Sequence, residues 1–448
     1  MASTRILSNG NAAAAETAPL TSNGGASSTL KYGTDDVTTT TTLASHAGSI
    51  GMWGSMAIAV NSLTGPAMLD LPATFQRSGL IPTTVTLIFV CILSALCSLH
   101  MANTISKVPD NLNFSKEVEF SEAFRYFWGH RWFVLTEVIF FCCVTCLNIS
   151  SIVDTSQVFD TFVGHIVESG SIALHFSFDG APVFVRWNPS ECTPHQVLHA
   201  ECLAFEAYTG GFLITLGYIV TAVIFFPMAL MDLKENSSFQ ILGFIVLLGN
   251  TVQFSIEFML SGLDWSNLSL WGTSWDTLFG VVLFNFALVI AIPSWLYERH
   301  PSVDVPTIIH GSSILSTVLY IIVGTMGALA IPKVSDNMLE SMMSGIYGIS
   351  MQLGASLFAF MIVGLGSPLF SVLTRMNLTG SGLATQRTGN MLAVYFPWGV
   401  SWMLYQGKAV TELLSWGGVI FTSAVAFLLP LVLALHTVLE FDQEGSIH

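Results

Sequence analysis

The feature that most limits this chain is a succession of apolar runs, each roughly 20 residues long, separated by short polar gaps. A run of that length crosses the ~30 Å hydrocarbon core of a bilayer as a helix. Only 10% of the 448 residues are charged, against about 25% in soluble domains. The runs predict ten spanning helices, at roughly 51–76, 83–105, 132–163, 209–231, 238–261, 277–297, 309–331, 347–374, 390–405 and 412–437. The expected fold class is an all-α membrane protein. A stretch at 119–130 carries Phe120, Phe124, Phe127 and Trp128 and reads as an amphipathic helix lying at the membrane surface.

Orientation follows from the cations. With the N-terminus in the cytoplasm, ten of the 14 Lys and Arg residues fall on the inner side, as the positive-inside rule requires. Residues 1–48 then form a cytoplasmic tail rich in Ser and Thr, too polar to bury a core and read as disordered. Residues 49–438 form the transmembrane domain, and 439–448 a short cytoplasmic tail. The loop 165–208 faces outward or into a lumen and holds Cys192 and Cys202. An oxidising compartment lets these two pair as a disulfide, and the alternative is two free thiols. Asn267-Leu268-Ser269 is the glycosylation sequon on that side, close to the membrane.

The net charge of −15 comes from acids crowded into that loop and the two tails. No basic stripe is present, so nucleic acid is not an expected partner. No paired catalytic carboxylates, zinc-type motif or phosphate loop appears, so neither enzymatic chemistry nor a cofactor is expected. Cys142, Cys143 and Cys146 cluster without the partners of a metal site and read as small packing residues.

Two spans are interrupted. The first carries Gly65-Pro66 near its middle, with Asp70 and Pro72 beyond. The sixth carries Asn285 and, further on, Pro293. Proline removes a backbone donor and clashes with the preceding turn. In hydrocarbon the freed groups need protein or a wet cavity around them. Spans 1 and 6 are corresponding members of two five-span halves, and paired breaks point to an inverted-repeat transporter. A half-helix N-terminus suits a carboxylate and a half-helix C-terminus suits an ammonium group or a cation. One broken helix can thus hold both ends of a zwitterionic amino acid. The same prolines also fit simple kinks between packed helices. Asp70 fits a proton-titrating or ammonium-binding role, and equally a cap on the second half-helix. Glu137 and Asp154 lie nearer the ends of the third span and read as interface positions, as does His310 at a span entrance.

The run Asn61-x-x-Thr64-Gly65-x-x-Met68-Leu69-x-Leu71-Pro72, followed by Phe75-Gln76-Arg77-Ser78-Gly79-Leu80, resembles the opening of the amino acid/auxin permease family, within the amino acid–polyamine–organocation superfamily. Pro227 to Leu233, Pro293 to Glu298, Ser367-Pro368 with Arg375, and Asn390 with Pro397-Trp398 resemble later family segments in order. The resemblance implies a LeuT-like fold of five plus five helices with helices 1 and 6 broken. It implies a substrate site lined by Asn61, Thr64, Gly65, Pro66, Ala67 and Met68. Phe284, Asn285, Phe286 and Val289 would form the facing wall. The implied activity is secondary active transport of amino acids by alternating access, coupled to H+ or Na+. Sodium-coupled members carry a threonine just before Ser367-Pro368, and here that position is Gly366. Hard cations want oxygen ligands, so with Asp70, Gly366 and Ser367 as the coupling positions the expectation moves toward protons. The family's Cys-His pair in the sixth span is absent, and the chain has ten spans rather than eleven. The alternatives are sodium coupling, or an amino acid sensor with little or no flux.

Overall fold

The structure is a computed structural model that describes residues 48–445, except 168, 179, 192–203, 206–207, 209–210, 335–337, 344–345, 406–416 and 418. These residues belong to one compact unit, Ser45–His448. Cys192, Cys202 and the tail 1–47 lie outside the described residues.

Span 1 is built in two pieces, Met52–Leu63 (1a) and Leu71–Ser78 (1b), joined through a 3-10 turn at Pro66–Asp70. Span 6 has the same plan: Leu278–Phe284 (6a), a 3-10 turn at Leu288–Ile290, and Ile292–Glu298 (6b). Pro72 and Pro293 stand in the first turns of 1b and 6b. A first-turn proline sacrifices no helical hydrogen bond.

The continuous spans are span 2 (Leu80–Ser106), span 3 (His130–Ile166), span 5 (Leu233–Ser261), span 7 (Val305–Ala330), span 8 (Ile349–Gly380) and span 10 (Val419–Thr437). Span 4 is the shorter Leu216–Ala229. Span 9 runs through Gln386–Asn390, Met391–Tyr395 and Phe396–Met403. Among the described residues, seven helices are long and apolar enough to cross a membrane, span 6 counted whole. Spans 1, 4 and 9 complete the ten. The chain is a multi-pass integral membrane protein, and its breaks fall in the first span of each five-span half. Spans 8, 9 and 10 each contain a π-helical turn, at Ala359–Val363, Met391–Tyr395 and Ala424–Leu428.

Span 3 is 37 residues long, about 55 Å of helix, and overruns the hydrocarbon. Its C-terminal end carries a three-stranded antiparallel sheet: β1 (Ser171–Ser177), β2 (Val183–Trp187) and β3 (Gly211–Thr215), in the order β2-β1-β3. Ser171 pairs with Trp187, and Ala173 with Thr215. From sequence this region is expected to be a loop, with span 4 beginning at 209. The strand Gly211–Thr215 is apolar and runs straight into the helix, and so short a run does not separate strand from helix by periodicity. Asp160 fixes the sheet to the bundle. It accepts hydrogen bonds from Ser171 Oγ (2.6 Å), Gly217 N–H (2.8 Å) and Tyr405 Oη (2.6 Å). Gly164 lets the Trp187 ring lie against span 3, since a Cβ there would come within 2.3 Å of the ring.

The surface helix is found at Phe120–Trp128, where Phe120 and Phe124 are buried. Phe120 stacks on Phe140 of span 3 at 5.2 Å. The final helix, Leu429–Gly445, continues past the expected boundary at 438.

Candidate substrate site and gates

The two breaks meet at one hydroxyl. Tyr320, fully buried in span 7, donates to the carbonyl of Leu63 at 2.7 Å and reaches that of Asn285 at 2.9 Å. Leu63 ends 1a, and Asn285 directly follows 6a. The Phe286 ring meets Tyr320 edge-on, with centroids 5.5 Å apart. The Phe286 carbonyl accepts from Ser94 Oγ of span 2 at 3.0 Å. Each break thus leaves carbonyls that other spans satisfy with side-chain hydroxyls, as a low-dielectric interior demands.

The residues expected from the sequence divide into those at this junction and those beside it. Thr64 closes 1a, its N–H and its hydroxyl both donating to the Val60 carbonyl at 2.8 Å. Gly65 is half-buried. Pro66, Ala67 and Met68 lie in the 3-10 turn, and the Met68 side chain is fully buried. Phe286 and Val289 are fully buried, Asn285 is buried and donates to the Val281 carbonyl, and Phe284 is half-buried. Asn61 is bonded to span 5. Its Nδ2 donates to both the backbone carbonyl and Oε1 of Gln240 at 2.8 Å. Gln240 in turn donates to Asn236 Oδ1 (2.8 Å) and the Leu365 carbonyl (3.2 Å). This amide ladder ties 1a to spans 5 and 8.

Of the expected coupling positions, Asp70 is half-buried at the start of 1b, and its side chain forms no cap bond there. Gly366 faces span 3, for a Cβ there would lie 3.1 Å from Ser151 Oγ. The Ser367 hydroxyl is buried without a hydrogen-bond partner among the described residues. Asn267 sits half-buried in a 3-10 turn at Trp265–Asn267 and donates to the Leu329 carbonyl at 3.0 Å.

Both ends of span 1 are held shut. On the side named inner from the charge bias, Ser49 N–H (2.8 Å) and Ile50 N–H (3.0 Å) donate to the Glu298 carbonyl, and His300 N–H donates to that of Ile50 at 2.9 Å. On the opposite side Gln76 Nε2 donates to the carbonyls of Ala328 (2.8 Å) and Ile331 (2.7 Å), and its Oε1 accepts from Val334 N–H at 3.1 Å. The loop before 6a completes that seal, with Gly272 N–H donating to the Ser78 carbonyl at 2.9 Å.

One acid is not where the sequence reading put it. Nearness to a span end predicts an interface position for Glu137, yet it is 5% exposed. It accepts from Ser121 Oγ and from Asn377 Nδ2 of span 8. The surface helix covers it, and linear distance from a span end carries no information about that cover. Glu119, at the start of the surface helix, is also buried and accepts from Ser294 Oγ of 6b at 2.7 Å. His310 is exposed, and Asp154 is half-buried and accepts from Ser150 Oγ.

Tyr320, Gln240 and Glu119 escaped the sequence reading. A tyrosine alone in the apolar run Leu319 to Val323 was the available signal for the first, because a buried phenol needs a partner. A glutamine inside span 5 was the signal for the second.

Comparison with known proteins agrees with this architecture. A family model described as the tryptophan/tyrosine permease family matches residues 49–184. That stretch covers the first broken span, spans 2 and 3 and the start of the sheet, and is under a third of the chain. The match corrects the family expected from the sequence. The family model found is that of tryptophan/tyrosine permeases, not of amino acid/auxin permeases. Short motifs around Gly65-Pro66 and Pro293 record how a helix is broken, which the fold imposes on unrelated families alike. The structure is also similar to Mhp1, a nucleobase-cation-symport-1 family transporter solved in a closed conformation with bromovinylhydantoin bound. The TM-score is 0.57 at 10% identity, over 87% of this chain and 80% of that one. The fold is that of a LeuT-type membrane transporter. No curated protein matches the chain.

Proposed function

We propose that this protein is a secondary active transporter for an aromatic amino acid, working by alternating access around the breaks in spans 1 and 6 and coupled to protons. The observation that carries this reading is the convergence of the Leu63 and Asn285 carbonyls on the Tyr320 hydroxyl. Carbonyls at the ends of half-helices present partial negative charge and suit an ammonium group. The first turn of 1b offers backbone N–H groups and partial positive charge a short way along the same span, which suits a carboxylate. The rings of Phe286 and Tyr320 beside the junction favour an aromatic side chain. The likeness to tryptophan/tyrosine permeases supports the same substrate class. On this reading Gly65 lets backbone approach the substrate, and the protein carries out no covalent chemistry.

Proton coupling is favoured by Gly366, which brings no side-chain oxygen to an expected coupling position, since hard cations want oxygen ligands. The test is uptake into proteoliposomes of labelled tryptophan, tyrosine and phenylalanine, beside alanine, glutamate and a hydantoin. Sodium and pH are varied independently. Aromatic amino acid uptake driven by a pH gradient without sodium is the expected result. Flux of the hydantoin alone would remove the substrate class, and a strict sodium requirement would remove the coupling. Saturable binding of an aromatic amino acid with no flux would replace the transporter with a sensor.

A further inference from the structure

We propose that Glu119 is the proton-binding site of this transporter, a carboxyl that takes up a proton when 6b closes on the surface helix and buries it, and whose ionisation favours opening. The proposal rests on the transport reading above. Glu119 is 1% exposed. Its Oε2 accepts from Ser294 Oγ at 2.7 Å, and its Oε1 has no hydrogen-bond partner among the described residues. Ser294 belongs to 6b, the inner piece of a broken helix, so this contact joins an element that must move to one that lies on the membrane surface.

The charged groups around Glu119 are acids. Glu117 and Glu122 come from its own segment and Glu137 from span 3. The nearby cations are committed elsewhere. Arg125 reaches the Ser381 carbonyl and lies over the Phe133 ring at 4.7 Å. Arg375 of span 8 donates to the carbonyls of Ala229 and Met231 and faces Asp232 at 3.7 Å. Arg299 donates to the Val303 carbonyl and lies over Phe114. Lys116 faces Asp110 at 3.4 Å. At the inner end of 6b stand Tyr297 and Glu298. A buried carboxylate with one donor and three acidic neighbours is costly, and one proton removes the cost. Burial first, then the three acids, push the carboxyl from its ordinary 4.5 up to about 8, against the Ser294 hydrogen bond.

A route for the proton begins two residues away, at Glu117. A cavity of about 510 Å³ opens at the inner face, lined in part by Glu117, Tyr297, Glu298 and Arg375. Rocking 6b away from the surface helix breaks the Ser294 bond and turns the carboxyl toward this water. There it regains its ordinary acidity and gives up the proton. One proton is bound and one released, with no other change. The sign is fixed by the raised value. The closed inner side keeps its proton up to about pH 8, whereas the opened carboxyl releases it above about 4.5. The closed arrangement is therefore favoured as pH falls through that window and lost as pH rises through it.

Infrared titration of the full chain reads the proton directly and needs no substrate. The wild type is expected to lose a protonated-carboxyl band with a midpoint near about 8. Glu119→Gln is expected to lack that band. Ser294→Ala is expected to raise the midpoint, since it removes the one donor that stabilises the charged form. In proteoliposomes Glu119→Gln is expected to flatten the pH profile of uptake. A band that persists in Glu119→Gln, or a midpoint that Ser294→Ala leaves in place, overturns the proposal. So does a pH profile of Glu119→Gln that matches the wild type. A wild type that carries no amino acid at all defeats the transport reading, and the infrared titration then still decides whether Glu119 holds a proton.

Discussion

The hydroxyl of Tyr320 lies 2.7 Å from the carbonyl oxygen of Leu63, the last residue of the inner half of span 1. The Asn285 carbonyl is 2.9 Å from the same oxygen. A phenol has one hydrogen to give, so the two carbonyls compete for it. Tyr320→Phe leaves both without that donor. A buried polar group without its partner costs about 1–3 kcal/mol. Uptake by the variant should fall on the order of 10-fold, with surface expression retained. Equal uptake rates in wild type and Tyr320→Phe would show that the junction is not the substrate site.

Two glycines sit at opposite seals. A Cβ at Gly48 would lie 2.0 Å from the Arg299 carbonyl oxygen, and one at Gly272 would lie 2.0 Å from that of Arg77. Both approaches are to backbone, which does not yield as a flexible side chain does. Gly48→Ala should prise open the inner side, and Gly272→Ala the outer side. Cysteine labelling from each face should therefore increase for one variant and not the other. The same labelling pattern in both variants would contradict separate gates.

Gly366→Thr tests the coupling argument. The added Cβ points at Ser151 of span 3 at 3.1 Å, so the new side chain meets span 3 rather than span 1. The variant should lose uptake without gaining any dependence on sodium. Sodium-stimulated uptake would show that a cation site needs only this hydroxyl.

Asp160→Ala removes the acceptor shared by Ser171, Gly217 and Tyr405. Hydrogen bonds to a charged group contribute about 1.5–3 kcal/mol each, and the losses are not additive. The variant should be destabilised by several kcal/mol, on the order of 3, seen as a lower midpoint of thermal unfolding in detergent. An unchanged midpoint would mean that the sheet is held by other contacts.

The spans, the surface helix and both breaks were legible because each is written locally. Apolar length announces a span, and Gly65-Pro66 and Pro293 announce where helical hydrogen bonding stops. What a break is satisfied by is not local. Leu63 and Tyr320 are 257 residues apart, and the sequence near either one does not name the other. The same holds for Glu119 with Ser294, separated by 175 residues. Asn61 looked like a site residue from its neighbours Thr64 and Gly65. Its amide is engaged by Gln240, 179 residues away, even though a helix places residues three and four apart on one face. The outer sheet was hidden for another reason. Its strand Gly211–Thr215 flows into span 4 with no polar residue between Gly211 and Thr215.

Three main-chain hydrogen bonds latch the inner seal: Ser49 and Ile50 donate to Glu298, and His300 donates to Ile50. Mobile ions weaken attraction between exposed charges over about 8 Å at physiological strength, but they leave backbone hydrogen bonds of this kind almost untouched. A carrier whose inner door is latched this way can work against cytosol or lumen of very different ionic strength without its resting position drifting.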